Sequence, residues 1–229
     1  MRLVMPKPVR PFLGESAESR VASRRRLLMD QAFLLLADDQ WRQTSIAGLC
    51  RGLGLNKRYF YESFADLDGL EDAVVDDLTA TLLHCGQMSA IEAQQQGLNT
   101  DELARYVLGD CLAWLVEEPR RGQVLFAKTR DNPRARDQRN KVITQLAHAL
   151  ASFGVAYHQP RNDAVTLTEF HNQLAGLAAS MLIGGSIESV LRWLDNQISM
   201  PFDSFVDHLA RFWVVLGNAA VDMALEKKR

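Results

Sequence analysis

Residues 54–64 read GLNKRYFYESF, and this stretch decides the fold. It combines four aromatic rings with two adjacent cations, a mixture that suits neither a buried helix nor a fully solvated one. At about 100° per helical residue, Phe60 and Phe64 share one side, whereas Arg58 and Glu62 point away from it. The pattern predicts a short helix that phenyl rings anchor from behind and that presents cations and phenols outward.

A second short helix precedes this stretch. Thr44 or Ser45 is a suitable N-cap for it, and Ile46 and Leu49 follow at inward spacing. Gly54 ends the helix, and Asn56 caps the next one. Two short helices joined by a tight turn at a glycine form a helix-turn-helix arrangement.

The outward face of the second of these helices has the chemistry that a DNA major groove requires. Arginine can pair with the O6 and N7 atoms of guanine, while tyrosine hydroxyls and lysine bind phosphates. Glu62 lies one turn after Arg58 and could orient its guanidinium or accept a hydrogen bond from cytosine. An ordinary amphipathic helix with solubilising charges is the alternative, and the exposed tyrosines argue against it. The predicted DNA-contacting residues, including a basic cluster upstream, are Ser45, Lys57, Arg58, Tyr59, Tyr61, Glu62, Arg24, Arg25 and Arg26.

The rest of the chain predicts an all-α protein of about nine helices. The 229 residues are 47% hydrophobic and 24% charged, contain only 7 Pro and 14 Gly, and lack alternating β-branched runs. We expect a flexible basic arm at 1–18, a three-helix DNA-binding domain at 19–66 and a larger helical domain at 67–229.

Charge is distributed unevenly along the chain. Residues 1–64 contain eleven Lys/Arg and six Asp/Glu, a net +5, whereas residues 65–229 contain fifteen and twenty-two, a net −7. A positive N-terminal region beside a negative remainder indicates that residues 1–64 bind a polyanion. Chance scatter of surface charge is the simpler alternative.

Several classes of protein are disfavoured. Three widely spaced cysteines without a CxxC pair argue against a disulfide framework and favour a reducing, cytoplasmic location. The N-terminus has no apolar signal region, and the apolar stretch 174–187 is too short to cross a membrane. No nucleophile, P-loop or zinc-ligand motif is present, so we expect neither an enzyme nor a metal or other cofactor.

Between Arg24 and Leu70 the chain resembles the DNA-binding region of the tetracycline-repressor (TetR) family of transcriptional regulators. The residues that carry the resemblance are Ala32, Phe33, Thr44-Ser45-Ile46, Leu49-Cys50, Gly54-Leu55-Asn56-Lys57, Phe60-Tyr61, Phe64 and Leu70. It implies an all-helical homodimer whose first three helices bind DNA, whose central helices enclose an effector pocket and whose last two helices form the dimer interface. Ser45 and Tyr61 should then contact phosphate, and Lys57 phosphate or a base edge, while Arg58 and Tyr59 should lie in the groove. The family often has a small residue where Arg58 stands and a lysine near the start of the fourth helix, where this chain has Leu67.

The larger helical domain, 67–229, contains candidate residues for a partner surface and for a pocket. The final two helices are apolar around more than half of their circumference, which predicts a dimer interface at Met181, Leu191, Phe205, Leu209, Phe212, Trp213 and Leu216. Burial within a single large domain is the alternative. Side chains that could line an effector pocket are His84, Met88, Trp114, Phe126, His171 and Gln173, although each could equally be a packed core residue.

The leading hypothesis is a homodimeric, cytoplasmic repressor that a small-molecule effector releases from a palindromic operator. A second is a DNA-binding regulator without a small effector, acting constitutively or as an activator. A third is a helical protein–protein interaction module with incidental basic charge.

Overall fold

A computed structural model describes residues 16–127, 133–158 and 169–226. Within these ranges every regular element is helical and there is no strand, which confirms the predicted all-α class. The elements are α1 (Ala17–Ala37), a 3₁₀ turn (Trp41–Gln43), α2 (Ile46–Gly52), α3 (Lys57–Tyr61), α4 (Leu67–Gln95), α5 (Thr100–Glu117), α6 (Arg120–Gly122), a π-helical segment (Gln123–Ala127), α7 (Pro133–His158), α8 (Glu169–Leu194) and α9 (Phe202–Glu226). Most of the expected arm, 1–18, lies outside the described residues.

Side-chain caps determine where the short helices begin. The Ser45 hydroxyl accepts from the Gly48 N–H at 3.1 Å, and the Asn56 side chain accepts from the Arg58 N–H at 2.9 Å. These bonds satisfy donors that a helix start leaves without partners. The Asn99 side chain caps α5 and forms a capping box with Glu102.

We call α1 to α3 the head. Its core is built around Phe60, which is completely buried, and Phe64, whose ring centroid lies 5.9 Å from that of Phe60. Gly54 joins α2 to α3 with a φ of 65°, a left-handed conformation that glycine adopts without steric cost. The buried residues that surround these rings are Leu28, Ala32, Leu49, Cys50 and Leu70.

The body comprises α4 to α9. In it α5 packs against both α4 and α9, while α8 packs against α7 and α9. The long helix α4 also contacts α1, and the buried side chains form one continuous cluster from head to body. The head therefore shares its core with the body and has no separate one.

Polar contacts reinforce the junction between head and body. The Trp41 indole N–H donates to Glu71 at 2.9 Å, and the Arg26 guanidinium pairs with Asp77 at 3.2 Å, so α1 and the 3₁₀ turn are both attached to α4. On the opposite side, the Gln138 amide of α7 donates to Asp72 at 2.9 Å. One helix, α4, thus receives contacts from both the head and α7.

Helix α8 is unusually apolar. Its apolar segment Gln173–Leu194 extends beyond the stretch 174–187, so the expectation that the stretch is too short to cross a membrane is corrected: the segment is long and apolar enough by length and composition. The segment nevertheless packs against α7 and α9, and it buries residues such as Ile183, Ile187 and Val190 in the common core. Core helices of folded domains commonly have this composition.

Candidate nucleic-acid interface

Helix α3 separates its rings into an inner and an outer set. Phe60 is buried, whereas Tyr61 is 59% exposed and Tyr59 is 36% exposed. The Arg58 side chain is 83% exposed, and Lys57 is also on the surface. The structure therefore places these four predicted contact residues on the outside of the head, as the helical spacing predicted.

Glu62, the C-cap of α3, lies between two arginines. Its Oε1 is 3.3 Å from the Nε of Arg58, and its Oε2 is 3.2 Å from an Nη of Arg24. The Arg24 guanidinium also lies over the Tyr59 ring, 4.1 Å from its centroid. A carboxylate in this position orients the Arg58 guanidinium on the outer face and ties α3 to α1.

Arg24, Arg25 and Arg26, the basic cluster predicted to contact DNA, each have a partner inside the chain. Arg24 binds Glu62 as described, and Arg25 donates to the Ser63 carbonyl at 3.0 Å and covers the Phe64 ring at 4.3 Å. Arg26 pairs with Asp30 and Asp77 at the body side of α1. The helical twist sends these consecutive arginines in three directions, so their adjacency in sequence does not create a patch.

Exposed groups are also present around α2. Ser45 lies on the surface at its start, where the hydroxyl caps the helix and keeps its own proton for a further partner. Arg42 in the 3₁₀ turn and Arg51 in the last turn of α2 are exposed as well. Arg42 was not among the residues predicted to contact DNA. The only feature of the sequence that pointed to it is its position just before the N-cap of α2. Beneath this surface, burial raises the pKa of the Cys50 thiol, although Lys57 opposes the shift.

The predicted dimer residues divide into three groups by their exposure. Met181 and Phe212 are 56% and 67% exposed, as a surface for a partner requires. Leu191, Phe205 and Leu209 are instead buried in the chain's own core, so their assignment to the interface is corrected. Trp213 and Leu216 are half-buried, and the Trp213 indole donates to Ser186 at 2.8 Å. The sequence could not separate these groups because the apolar side of α9 covers more than half of its circumference.

Three further apolar residues extend the exposed surface of α8 and α9. Leu177 on α8 is 58% exposed, and Val215 and Met223 on α9 are 68% and 54% exposed. We call this surface, with Met181 and Phe212, the α8–α9 face. Only 39% of the most apolar stretch of α8 is buried, and the remaining residues are partly or fully exposed in the single chain.

The expected effector-pocket residues do not converge. His84, Met88 and Gln173 lie on the surface, and the side chain of His171 is outside the described part of the chain. Phe126 is 2% exposed and belongs to the packed core, while Trp114 is half-buried with the Arg121 guanidinium 4.6 Å from its ring centroid. The described members of this group therefore lie in different environments, some on the surface and some in the packed core.

Two clefts are found on the described surface. One of about 450 Å³ lies between the end of α5 and the α8–α9 connection, where the Trp193 indole donates to the Met200 carbonyl at 2.7 Å. Its lining residues are Val116, Trp193, Leu194, Asn196, Ile198, Ser199, Met200 and Pro201. The other, of about 250 Å³, lies between α1, α4 and α6 and includes Arg26, Asp77 and Arg121. Among the described residues, no three His, Cys, Asp or Glu side chains are grouped to hold a metal ion.

The fold matches solved structures of transcriptional regulators. The fatty acid degradation regulator FadR from Bacillus halodurans superposes with a TM-score of 0.64 at 14% identity, covering 83% of this chain and 94% of that one. This is the TetR-family fold. FadR from Bacillus subtilis, solved with stearoyl-CoA, gives a TM-score of 0.63 at 15% identity and covers 82% of this chain and 97% of its own. A TetR-family regulator from Syntrophomonas wolfei str. Goettingen gives 0.62 at 12% identity, covering 86% and 95%.

These comparisons confirm the resemblance to the TetR family at the level of the fold. The similarity extends well beyond the head, since the matches cover more than four fifths of the chain. No family sequence model matches the chain, and no curated protein matches it in sequence.

Proposed function

We propose that this protein is a homodimeric transcriptional regulator that binds a palindromic DNA operator through α3. The observation that carries the proposal is the orientation of this helix: Phe60 is buried behind it, while Arg58 and Tyr61 project from it into solvent. Because the Phe60 ring anchors one side of α3 in the core, the opposite side of the helix is free to enter a DNA groove. The TetR-family fold, shared with known transcriptional regulators, supports the same conclusion.

Each exposed side chain of the head has a distinct role in this proposal. Arg58 reads guanine with two parallel hydrogen bonds, and Glu62 holds its guanidinium in the required plane. Lys57, Tyr59 and Tyr61 contact phosphates beside it, and they position the helix without reading sequence. Ser45 donates its hydroxyl proton to another phosphate, and Arg42 and Arg51 add positive charge at the ends of α2.

Dimerisation through the α8–α9 face supplies the second reading helix. The face exposes large apolar side chains that water solvates poorly, including Leu177, Phe212 and Val215. Around them, a Cβ added to Gly184, Gly185 or Gly217 would meet nothing within 4 Å, so a second copy can approach closely. A two-fold dimer presents two copies of α3 to half-sites about one helical turn, ~34 Å, apart.

An effector acts in this proposal by changing the separation of the two heads. The π-helical segment Gln123–Ala127 contacts α1, α4, α7 and α8, so it connects the head with the body. Insertions of this kind interrupt regular helix geometry and frequently occur at functional sites. A ligand in the cleft beside Trp193 would move α8, which touches this segment, and both half-sites could no longer be met together. The protein then acts as a cytoplasmic repressor.

A regulator without a small effector is favoured by one observation. Phe126 and its neighbours Val124 and Leu125 are all buried by protein side chains at the position where the sequence predicted a pocket. A body filled in this way needs no ligand for its stability. In this alternative the dimer binds its operator constitutively.

Selection of bound fragments from random duplex DNA tests the DNA-binding proposal. We expect a palindrome with half-site centres about 10–10.5 base pairs apart, and an affinity that falls steeply as salt rises. Failure to enrich a sequence, together with an affinity almost independent of salt, would refute it in favour of an interaction module.

A ligand screen on the protein–operator complex then separates the two kinds of regulator. The measurement is release of labelled operator together with a shift in melting temperature, and stearoyl-CoA is included because it is bound in the B. subtilis FadR structure. A compound that raises the melting temperature and releases the operator identifies an effector-controlled repressor. An operator complex that no compound releases favours the effector-free regulator.

A further inference from the structure

Two cysteines lie side by side between α4 and α5. Cys85 is on α4 and Cys111 is on α5, and the Cys111 sulfur lies against the α4 backbone at Gly86, the residue next to Cys85. Both are free and half-buried, whereas the third cysteine, Cys50, is fully buried in the head. The three cysteines are far apart in the amino-acid sequence. The packing of α4 on α5 brings Cys85 and Cys111 close together.

Close approach of the two helices makes this contact possible. Gly86 follows Cys85, and a Cβ placed on it would lie 3.4 Å from the Cys111 sulfur. A methyl group at this position would be in van der Waals contact with the Cys111 sulfur, so this sulfur packs directly on α4. One turn further along α4, the Ser89 hydroxyl donates to Asp110 at 2.6 Å and fixes the register of the two helices at this point.

The two thiols have different acidities. A hydrogen bond from the Cys111 thiol lowers the pKa of Cys85, although burial and the nearby Asp110 carboxylate oppose the shift. The same hydrogen bond, together with burial, raises the pKa of Cys111. Cys85 is thus the thiolate of the pair, and Cys111 is the thiol that holds the proton. Thiolates are the nucleophilic form, and an adjacent thiol allows an oxidised cysteine to be resolved.

We propose that Cys85 and Cys111 are an oxidation site that closes to a reversible intrachain disulfide between α4 and α5 in the presence of a hydroperoxide. The Cys85 thiolate attacks one peroxide oxygen, the O–O bond breaks, and the departing oxygen takes a proton to leave as water. The resulting sulfenic acid is attacked by the Cys111 sulfur, which loses its proton as the S–S bond forms and a second water leaves. Two thiols and one hydrogen peroxide become one disulfide and two waters.

The position of the site connects it to the DNA-binding head. Helix α4 begins at Leu67, immediately after the head, and continues unbroken past Cys85 to Gln95. A disulfide at Cys85 would fix the middle of α4 to α5, which itself packs on α9. The covalent link therefore restrains the helix that joins the head to the body.

Mass spectrometry of the full-length protein tests this assignment. The reduced protein is treated with one equivalent of hydrogen peroxide, blocked with iodoacetamide and digested without reductant. We expect a Cys85–Cys111 cross-linked peptide, a monomer mass lower by about two hydrogens, and recovery of both thiols with dithiothreitol. The matched control is Cys50→Ala, which should form the same cross-link to the same extent.

Single-cysteine variants show which cysteine is oxidised first and which one then forms the disulfide. In Cys111→Ser the sulfenic acid on Cys85 has no resolving thiol and should be trapped by dimedone, whereas Cys85→Ser should gain no dimedone label and no cross-link. Circular dichroism identifies variants that are folded. Cross-links between chains only, cross-links to Cys50, or equal labelling of Cys85 and Cys111 in the folded single variants would each overturn the proposal.

Discussion

Arg24 and Glu62 form an ion pair of 3.2 Å that joins α1 to the end of α3. The pair is only partly accessible, with 21% of the Arg24 side chain and 31% of the Glu62 side chain exposed. Because Glu62 also binds Arg58, one carboxylate links a structural arginine to an exposed one. The orientation of the proposed base-reading side chain thus depends on how α3 is attached to α1.

Glu62→Gln should raise affinity for unrelated DNA and lower the ratio of operator to non-operator affinity. The amide removes a negative charge beside the phosphates, and it holds Arg58 less firmly than a carboxylate does. Fluorescence anisotropy on the selected operator and on a scrambled duplex measures both quantities. The matched control is Asp101→Asn on α5, which makes the same charge change in the body. Equal effects of the two substitutions would show that only net charge matters.

Arg58→Ala should weaken operator binding by about 1–3 kcal/mol and relax the preference at one base pair in each half-site. The guanidinium is the exposed group of α3 best suited to guanine, and its loss removes direct readout. Lys57→Ala is the control, and it should weaken binding evenly on all sequences and reduce the salt dependence. Selection of bound sequences for each variant distinguishes the two patterns. An even loss for Arg58→Ala would refute its base-reading role.

Phe212→Asp should produce folded monomers. The ring is 67% exposed in the single chain, so the carboxylate costs the monomer little but would be buried against the partner in a dimer. Phe205→Asp, on the same helix but 6% exposed, should instead unfold the protein, because its charge enters the core. Sedimentation and circular dichroism together report both outcomes. A folded dimer of Phe212→Asp would move the interface away from the α8–α9 face.

Cys85 should react with iodoacetamide at an unusually low pH. The Cys111 thiol lowers the pKa of Cys85 from 9.0 to about 7, against the opposing influence of burial and Asp110 and with a smaller contribution from Ser89. A lower pKa means that the thiolate persists as pH falls, so the alkylation rate should be half-maximal near pH 7. Cys111→Ala removes the donor and should move the midpoint upward. An unchanged midpoint in that variant would show that Cys111 does not lower the pKa of Cys85.

Local sequence predicted the head well because its signals act over a few residues. Caps at Ser45 and Asn56, the glycine turn at Gly54 and the spacing of Phe60 with Phe64 each depend on neighbours within one or two turns. The same spacing correctly predicted that Arg58 would be exposed. It does not indicate the intrachain partners of Arg24 to Arg26, since Glu62, Ser63 and Asp77 are distant in sequence.

The amino-acid sequence by itself determined that the chain is helical, where the head's helices begin, and which side of α3 faces outward. Backbone hydrogen bonding and helical periodicity are local, so they can be read from adjacent residues. Only the tertiary structure decided which apolar side of α8 and α9 remains exposed, and that Cys85 meets Cys111. Such pairings depend on which helices pack together, because an apolar residue can be buried equally well by its own chain or by a second copy.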